Sequence, residues 1–331
     1  MRRRALLLAC VAACGGGGGG GGGTGPSLDE LQQAGHDAQC AYNVRCGLFA
    51  TTADCDAYLQ ITPDPSAQAA VDAGKTKYDP GAASTCFDSI ASASCDQTQQ
   101  DAREISDACN HIFTGTLQMG DTCASGSECA SANCSIPSDT GDCPLGTCGP
   151  AEIIAKLGES CVIHQCAPGS FCDATQTCAN LEPQNTPCDF DSDCDYGLGC
   201  LGAVGAKTCA EVPHIGSLCP DMACAEINAT CNAAGSCVAL GLPGDACMTV
   251  VDCSFYGECD TTAMKCTNHP SLGMTCDSDC TGLAWCMIPT GMPTGTCVAP
   301  QANGATCAGG DQCTSTFCNA AKVCADPQVC I

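Results

Sequence analysis

Cysteine is the residue type in this sequence with the clearest capacity for chemistry. The chain has 331 residues and 38 of them are Cys. A thiol can hold a soft metal, cycle its redox state or close a disulfide. The first two uses favour two sulfurs on one tight turn, C-x-x-C. That spacing occurs nowhere in the sequence, and the closest pair beyond the N-terminus is Cys276-Asp277-Ser278-Asp279-Cys280. Zinc-ribbon, thioredoxin-like and c-type haem chemistry each lose their defining spacing, so the sequence predicts no metal and no cofactor. Disulfides remain.

Other constellations fail on their own terms. His36, His111, His164, His214 and His269 form no H-E-x-x-H, and no G-x-S-x-G elbow is present. Carboxylates alternate from Asp189 to Asp195 as in a calcium loop. The sixth and twelfth places, which need Gly and Glu, hold Cys194 and Cys200. Gly74-Lys75-Thr76 imitates the end of a phosphate loop, but Ala69 stands where the first Gly belongs. That segment is read instead as the close of a helix near Asp72. No catalytic residue emerges, and the chain is expected not to be an enzyme.

The elements that position the cysteines cannot rely on a broad apolar core. Aromatic residues make up 4% of the chain, with a single Trp. A cysteine share of about 11% exceeds the roughly 8–10% that marks a disulfide scaffold. Such bonds persist in oxidising compartments, so export is expected. The formal charge is −25, which repels nucleic acid and anionic headgroups; no nucleic-acid partner is expected.

The N-terminus fits export. Arg2-Arg3-Arg4 precedes a short apolar run from Ala5 to Ala13, too short to span a bilayer. Val11-Ala12-Ala13-Cys14 resembles the bacterial lipobox, which implies cleavage after residue 13 and a lipid on Cys14. Parity agrees, because cleavage there leaves 36 cysteines free to pair. The lipidated Cys and a glycine run make 14–26 a flexible tether. Gly15 replaces the Asp that retains enteric lipoproteins at the inner membrane. That resemblance implies a lipid-anchored place in the bacterial cell envelope, at the outer membrane or cell surface.

Residues 27–119 read as a small helical domain stapled by Cys40, Cys46, Cys55, Cys86, Cys95 and Cys109. Ser27 and Glu30 have capping-box spacing ahead of a helix running to Arg45. A second helix is expected from Asp54 to about Gln60. Asp79-Pro80 marks an N-cap followed by Pro at the first helical position, and Asp101 to Phe113 is a fourth helical candidate.

Residues 120–331 repeat. Seven units open on a phrase ending in Cys, such as Gly120-Asp-Thr-Cys123, Asn185-Thr-Pro-Cys188 and Gly244-Asp-Ala-Cys247, with successive starts 27 to 38 residues apart. The half-cystines set out for them are Cys123, Cys129 and Cys134; Cys161, Cys166, Cys172 and Cys178; and Cys188, Cys194, Cys200 and Cys209. Those of the later units are Cys219, Cys224, Cys231 and Cys237; Cys247, Cys253, Cys259 and Cys266; Cys276, Cys280, Cys286 and Cys297; and Cys307, Cys313, Cys318 and Cys324. The pairing stays open. An acid or amide precedes the second Cys at Glu128, Asp193, Asp252, Asp279 and Gln312, and an aromatic precedes the third at Phe171, Trp285 and Phe317.

These phrases resemble the Dickkopf-type N-terminal cysteine-rich domain, in the tandem form found in predicted bacterial lipoproteins. The resemblance implies a disulfide-framed module outside the cytoplasm. The expected fold is small and disulfide-rich: a helical Cys-containing segment, then tandem loop and hairpin repeats. The expected function is a surface interaction or structural module, with the lipid in the membrane and a protein or glycan as partner. Inhibition of a protease or another secreted protein is the alternative. Phe171, Trp285 and Phe317 serve in contacts or in packing against disulfides.

Overall fold

Several helices of this chain begin where side chains satisfy orphan backbone donors. A computed structural model describes residues 25–61, 65–96, 105, 108–137, 145–162, 164–219, 221–249, 252–254, 256–277 and 279–326. The Ser27 N–H donates to the Glu30 carboxylate at 2.9 Å. A 3-10 turn, Leu28–Glu30, then runs into helix α1, Leu31–Arg45. Thr51 caps α2, Thr52–Tyr58, by accepting the Asp54 N–H at 3.2 Å. Helix α3, Ser66–Asp72, stops at Gly74, whose φ of 70° lets its N–H reach the Val71 carbonyl. Asp79 accepts the N–H groups of Gly81 and Ala82 at the head of α4, Pro80–Ser92.

The fourth helical candidate needs correction. Residues 101–104, 106 and 107 lie outside the described residues, while Ile105, Ala108 and Cys109 are helical. Phe113 is not helical. It opens strand β2, Phe113–Gly115, which pairs antiparallel with β1, Thr76–Tyr78. The β-branched Ile112 and the aromatic Phe113 suit a pleated, half-buried surface better than a helix end.

The helices surround a modest core of Leu31, Ala38, Ala83, Cys86, Phe87 and Ile112, with Ile90 packed against it. Gly35 lets α1 sit close against Phe87 of α4, because a Cβ there would lie 3.2 Å from that ring. Disulfides Cys40–Cys55 and Cys86–Cys109 staple this core. A closed loop of about 15 residues is worth about 3 kcal/mol in the chain-entropy account. Cys46 and Cys95 are disulfide-bonded as well.

Beyond β2 the fold consists of Cys-rich hairpins. In the third repeat Leu198–Leu201 pairs antiparallel with Thr208–Glu211; the fourth and fifth repeats pair Ala229–Cys231 with Cys237–Ala239 and Gly257–Asp260 with Lys265–Asn268. The chain is therefore small and disulfide-rich, a short helical region followed by hairpin repeats. It divides into two compact units. One contains Met1–Ala91, Ala108–Pro150 and Gly241–Ile331; the other contains Ser92–Asp107 and Ala151–Leu240. Among the described residues no helix is long and apolar enough to cross a membrane.

Candidate functional site

Three devices build the repeats: the first and third occur in all seven, and the second is seen in the first, third, fifth and seventh. The first is the opening turn. Its Gly or Asn has φ between 70° and 100° at Gly120, Gly158, Asn185, Gly216, Gly244, Gly273 and Gly304. Gly adopts that region without a Cβ penalty, and Asn is the next most tolerant residue, which explains why Asn185 can stand in the third repeat. The N–H of this residue donates to the carbonyl of the fourth Cys, as Asn185 does to Cys209 at 2.7 Å and Gly244 to Cys266 at 2.8 Å. The next residue returns the bond, since its carbonyl accepts the N–H of that same Cys (Thr186 from Cys209 at 2.9 Å).

The second device explains the acid before the second Cys. Its side chain accepts the N–H groups that follow the first Cys. Asp193 takes those of Asp189 and Phe190 at 3.0 and 2.9 Å, and Asp252 those of Met248 and Thr249 at 2.7 and 2.8 Å. Glu128 holds Ala124, and Gln312 holds Ala308, both at 2.8 Å. These bonds hold the Asp252 carboxyl below the usual carboxylate range. The structure thus assigns the alternating carboxylates near Asp193 a structural use: Asp191 accepts the Cys200 N–H at 2.8 Å.

The third device is a pair of crossed disulfides, first Cys to third and second to fourth. Cys188 bonds Cys200 and Cys194 bonds Cys209, with Cα atoms 5.7 and 5.4 Å apart. The same order holds in the other six repeats. In the fifth repeat the buried core is the four half-cystines themselves: Cys247, Cys253, Cys259 and Cys266. The sulfurs of Cys188, Cys194 and Cys209 lie within 4.8 Å of one another. Bonded as disulfides, they offer no thiolate to a metal.

Cys148, absent from the half-cystines set out above, bonds Cys129. A signal for it existed. In the second to sixth repeats the fourth Cys stands seven residues before the next opening Gly or Asn, and of the two late cysteines of the first repeat Cys148 lies nearer that place. Cys143, Cys330 and the lipidation candidate Cys14 lie outside the described residues.

The aromatics before the third Cys are half-buried at Phe171, Trp285 and Phe317. Side chains on two turn tips are exposed instead. One tip precedes the opening Gly and carries Met119, Leu157, Ile215 and Leu272; the other follows the first Cys and carries Val162, Phe190, Met222 and Met248. Sequence reasoning missed these positions.

A separate aromatic seam lies in the first compact unit. Phe49 stacks on Tyr256 with ring centroids 4.3 Å apart, and Tyr58 meets Tyr256 edge-on at 4.8 Å. Phe49, Asp54, Ala57, Tyr58, Tyr256, Asn268 and Thr281 line a cavity of about 30 Å³, the size of a single water site. Burial pushes the Tyr58 phenol up to about 12, assisted by the charge of Asp279 and by Tyr256. Burial also raises Glu258, with Asp277 adding to the shift and His269 opposing it.

A scan of protein-family models found no match to this chain, and searches of curated proteins and of solved structures found none either.

Proposed function

We propose that this protein is a cell-envelope lipoprotein, tethered through lipid on Cys14, whose repeats act as a surface interaction or structural module without catalysis. The observation that carries the reading is the construction of the repeat. Its interior is two disulfides, its backbone is fixed by the opening turn and, in four repeats, by the side-chain cap, and its tip side chains are left free to vary. A frame of this kind holds short loops rigid, which cuts the ordering cost of a contact. Oxidised cysteines throughout the described repeats agree with an extracytoplasmic setting.

Intact mass of the protein from purified membranes, alkylated before and after reduction, tests the proposal. A diacyl or triacyl mass on Cys14, no free thiol before reduction and 36 after it are the expected results. Many free thiols in the untreated protein, or an unprocessed N-terminus, overturn the reading.

A further inference from the structure

We propose that the turn tips of the second to fourth repeats form a docking surface for a cationic, amphipathic polypeptide. The inference deepens the surface-module reading and rests on it.

The tips are equivalent from repeat to repeat. Each opening turn closes with the N–H of the residue after its Gly or Asn bonding back three residues: Glu159 to Lys156, Thr186 to Pro183 and Ser217 to His214. The residue before the Gly or Asn is thereby pushed outward. In these repeats it is Leu157, Gln184 and Ile215, and Leu157 and Ile215 are 54% and 44% exposed. The tip after the first Cys adds Phe190, 71% exposed, with its own N–H pinned by Asp193. Fixed turns thus hold three bulky apolar side chains, Leu157, Phe190 and Ile215, in solvent, where a partner could bury them at little ordering cost.

Charge selects the partner. Residues 151–240 contain eleven carboxylates against two lysines and no arginine. Exposed acids stand beside the tips: Glu159 near Leu157, and Asp189 and Asp191 on either side of Phe190. A second copy of the chain or an anionic lipid surface would be repelled. A segment that alternates Lys or Arg with bulky apolar residues matches both features. Several tips engaged at once would add by effective concentration rather than by strength at any single tip.

The probe is a dye-labelled 18-residue peptide of Lys and Leu in amphipathic helical order, titrated by fluorescence anisotropy. It is added to the full-length protein in nanodiscs of phosphatidylcholine, with empty discs as the blank. Binding above the blank is expected. The exposed-site variant Leu157→Ser/Phe190→Ser/Ile215→Ser should weaken it about tenfold with an unchanged melting temperature. Gln184→Leu, which supplies the missing tip in the third repeat, should tighten it about threefold. No binding above the blank, equal affinity of parent and triple variant, or tip-dependent binding to phosphatidylcholine vesicles instead of the peptide each overturn the inference. Surface biotinylation of whole cells and the acyl mass on Cys14 are read separately. If they succeed while the peptide fails, the docking inference falls and the surface-module reading stands. If they fail while the tips still bind, the reverse holds.

Discussion

Cys200 lies directly across a hairpin from Cys209, yet neither bonds the other. Facing residues of an antiparallel pair have Cα atoms about 4.5–5.5 Å apart, within the span that a disulfide bridges. The strand register alone therefore does not choose the pairing. The opening turn does so. It lays Cys188 beside the Cys209 strand through the bonds of Asn185 and Thr186, while Glu182 brackets Cys194 through its bonds with Asp193 and Asp195.

Peptide mapping of the unreduced protein should accordingly recover 188–200 and 194–209 linkages and no 200–209 linkage. Replacing Cys188 and Cys200 together by Ala should cost about 3 kcal/mol for this loop. The loss should be local, visible as hydrogen-exchange deprotection within the third repeat. A recovered 200–209 peptide would contradict the geometry.

The acid cap predicts a graded mutation pair. Asp193→Ala leaves the Asp189 and Phe190 N–H groups without an acceptor and should cost about 1 kcal/mol. Asp193→Asn keeps an acceptor oxygen, and Gln312 shows an amide doing the same work in the seventh repeat. The Asn variant should therefore retain most of the parental urea midpoint.

Backbone conformation at the opening turn predicts opposite signs at two equivalent sites. Asn185, with φ of 70°, should gain stability on replacement by Gly, whereas Gly244, with φ of 100°, should lose about 1 kcal/mol on replacement by Ala. Thermal melts of the two variants check this, and a stabilised Gly244→Ala would refute it.

Among the described residues the buried indole N–H of Trp285 finds no hydrogen-bond partner. Trp285→Phe removes that donor and should be neutral or stabilising by up to about 1 kcal/mol, despite the loss of a large ring. A destabilisation of several kcal/mol would show that the ring's packing dominates.

Tyr58 supplies a pH test. Its folded value of about 12 lies above the ordinary 10, so between those values the folded state holds a proton that the unfolded state has released. Its contribution to stability is complete below pH 10 and is lost as pH rises to about 12. Rapid titration of tyrosinate absorbance should show a late fraction, and Tyr58→Phe should remove part of it. An unchanged profile would place Tyr58 in water.

Much of the helical region was legible because its signals are local. Ser27 with Glu30, and Asp79 before Pro80, mark helix starts through bonds spanning three residues or fewer. The repeats were legible through their cysteine spacing. Their pairing was not, because it depends on contacts such as Asn185 with Cys209, 24 residues apart. Phe113 was misread for a similar reason. Its strand partner is Tyr78, far back in the chain, and tertiary pairing outweighed the helical pattern. At the tips, apolar content drew attention to Phe171 and Trp285, while the type of turn decides that Leu157 and Phe190 face solvent.

The crossed pairing also bears on how the chain reaches its fold. Among the described repeats every half-cystine finds its partner within its own unit, between 10 and 19 residues away. Four cysteines allow only three pairings, so in the second to sixth repeats oxidation becomes five short searches in place of one across the whole stretch. Each of these five units can lock as soon as its fourth cysteine arrives, before the next unit's thiols are near enough to compete. Repeats could then be gained or lost in evolution without rewiring those that remain.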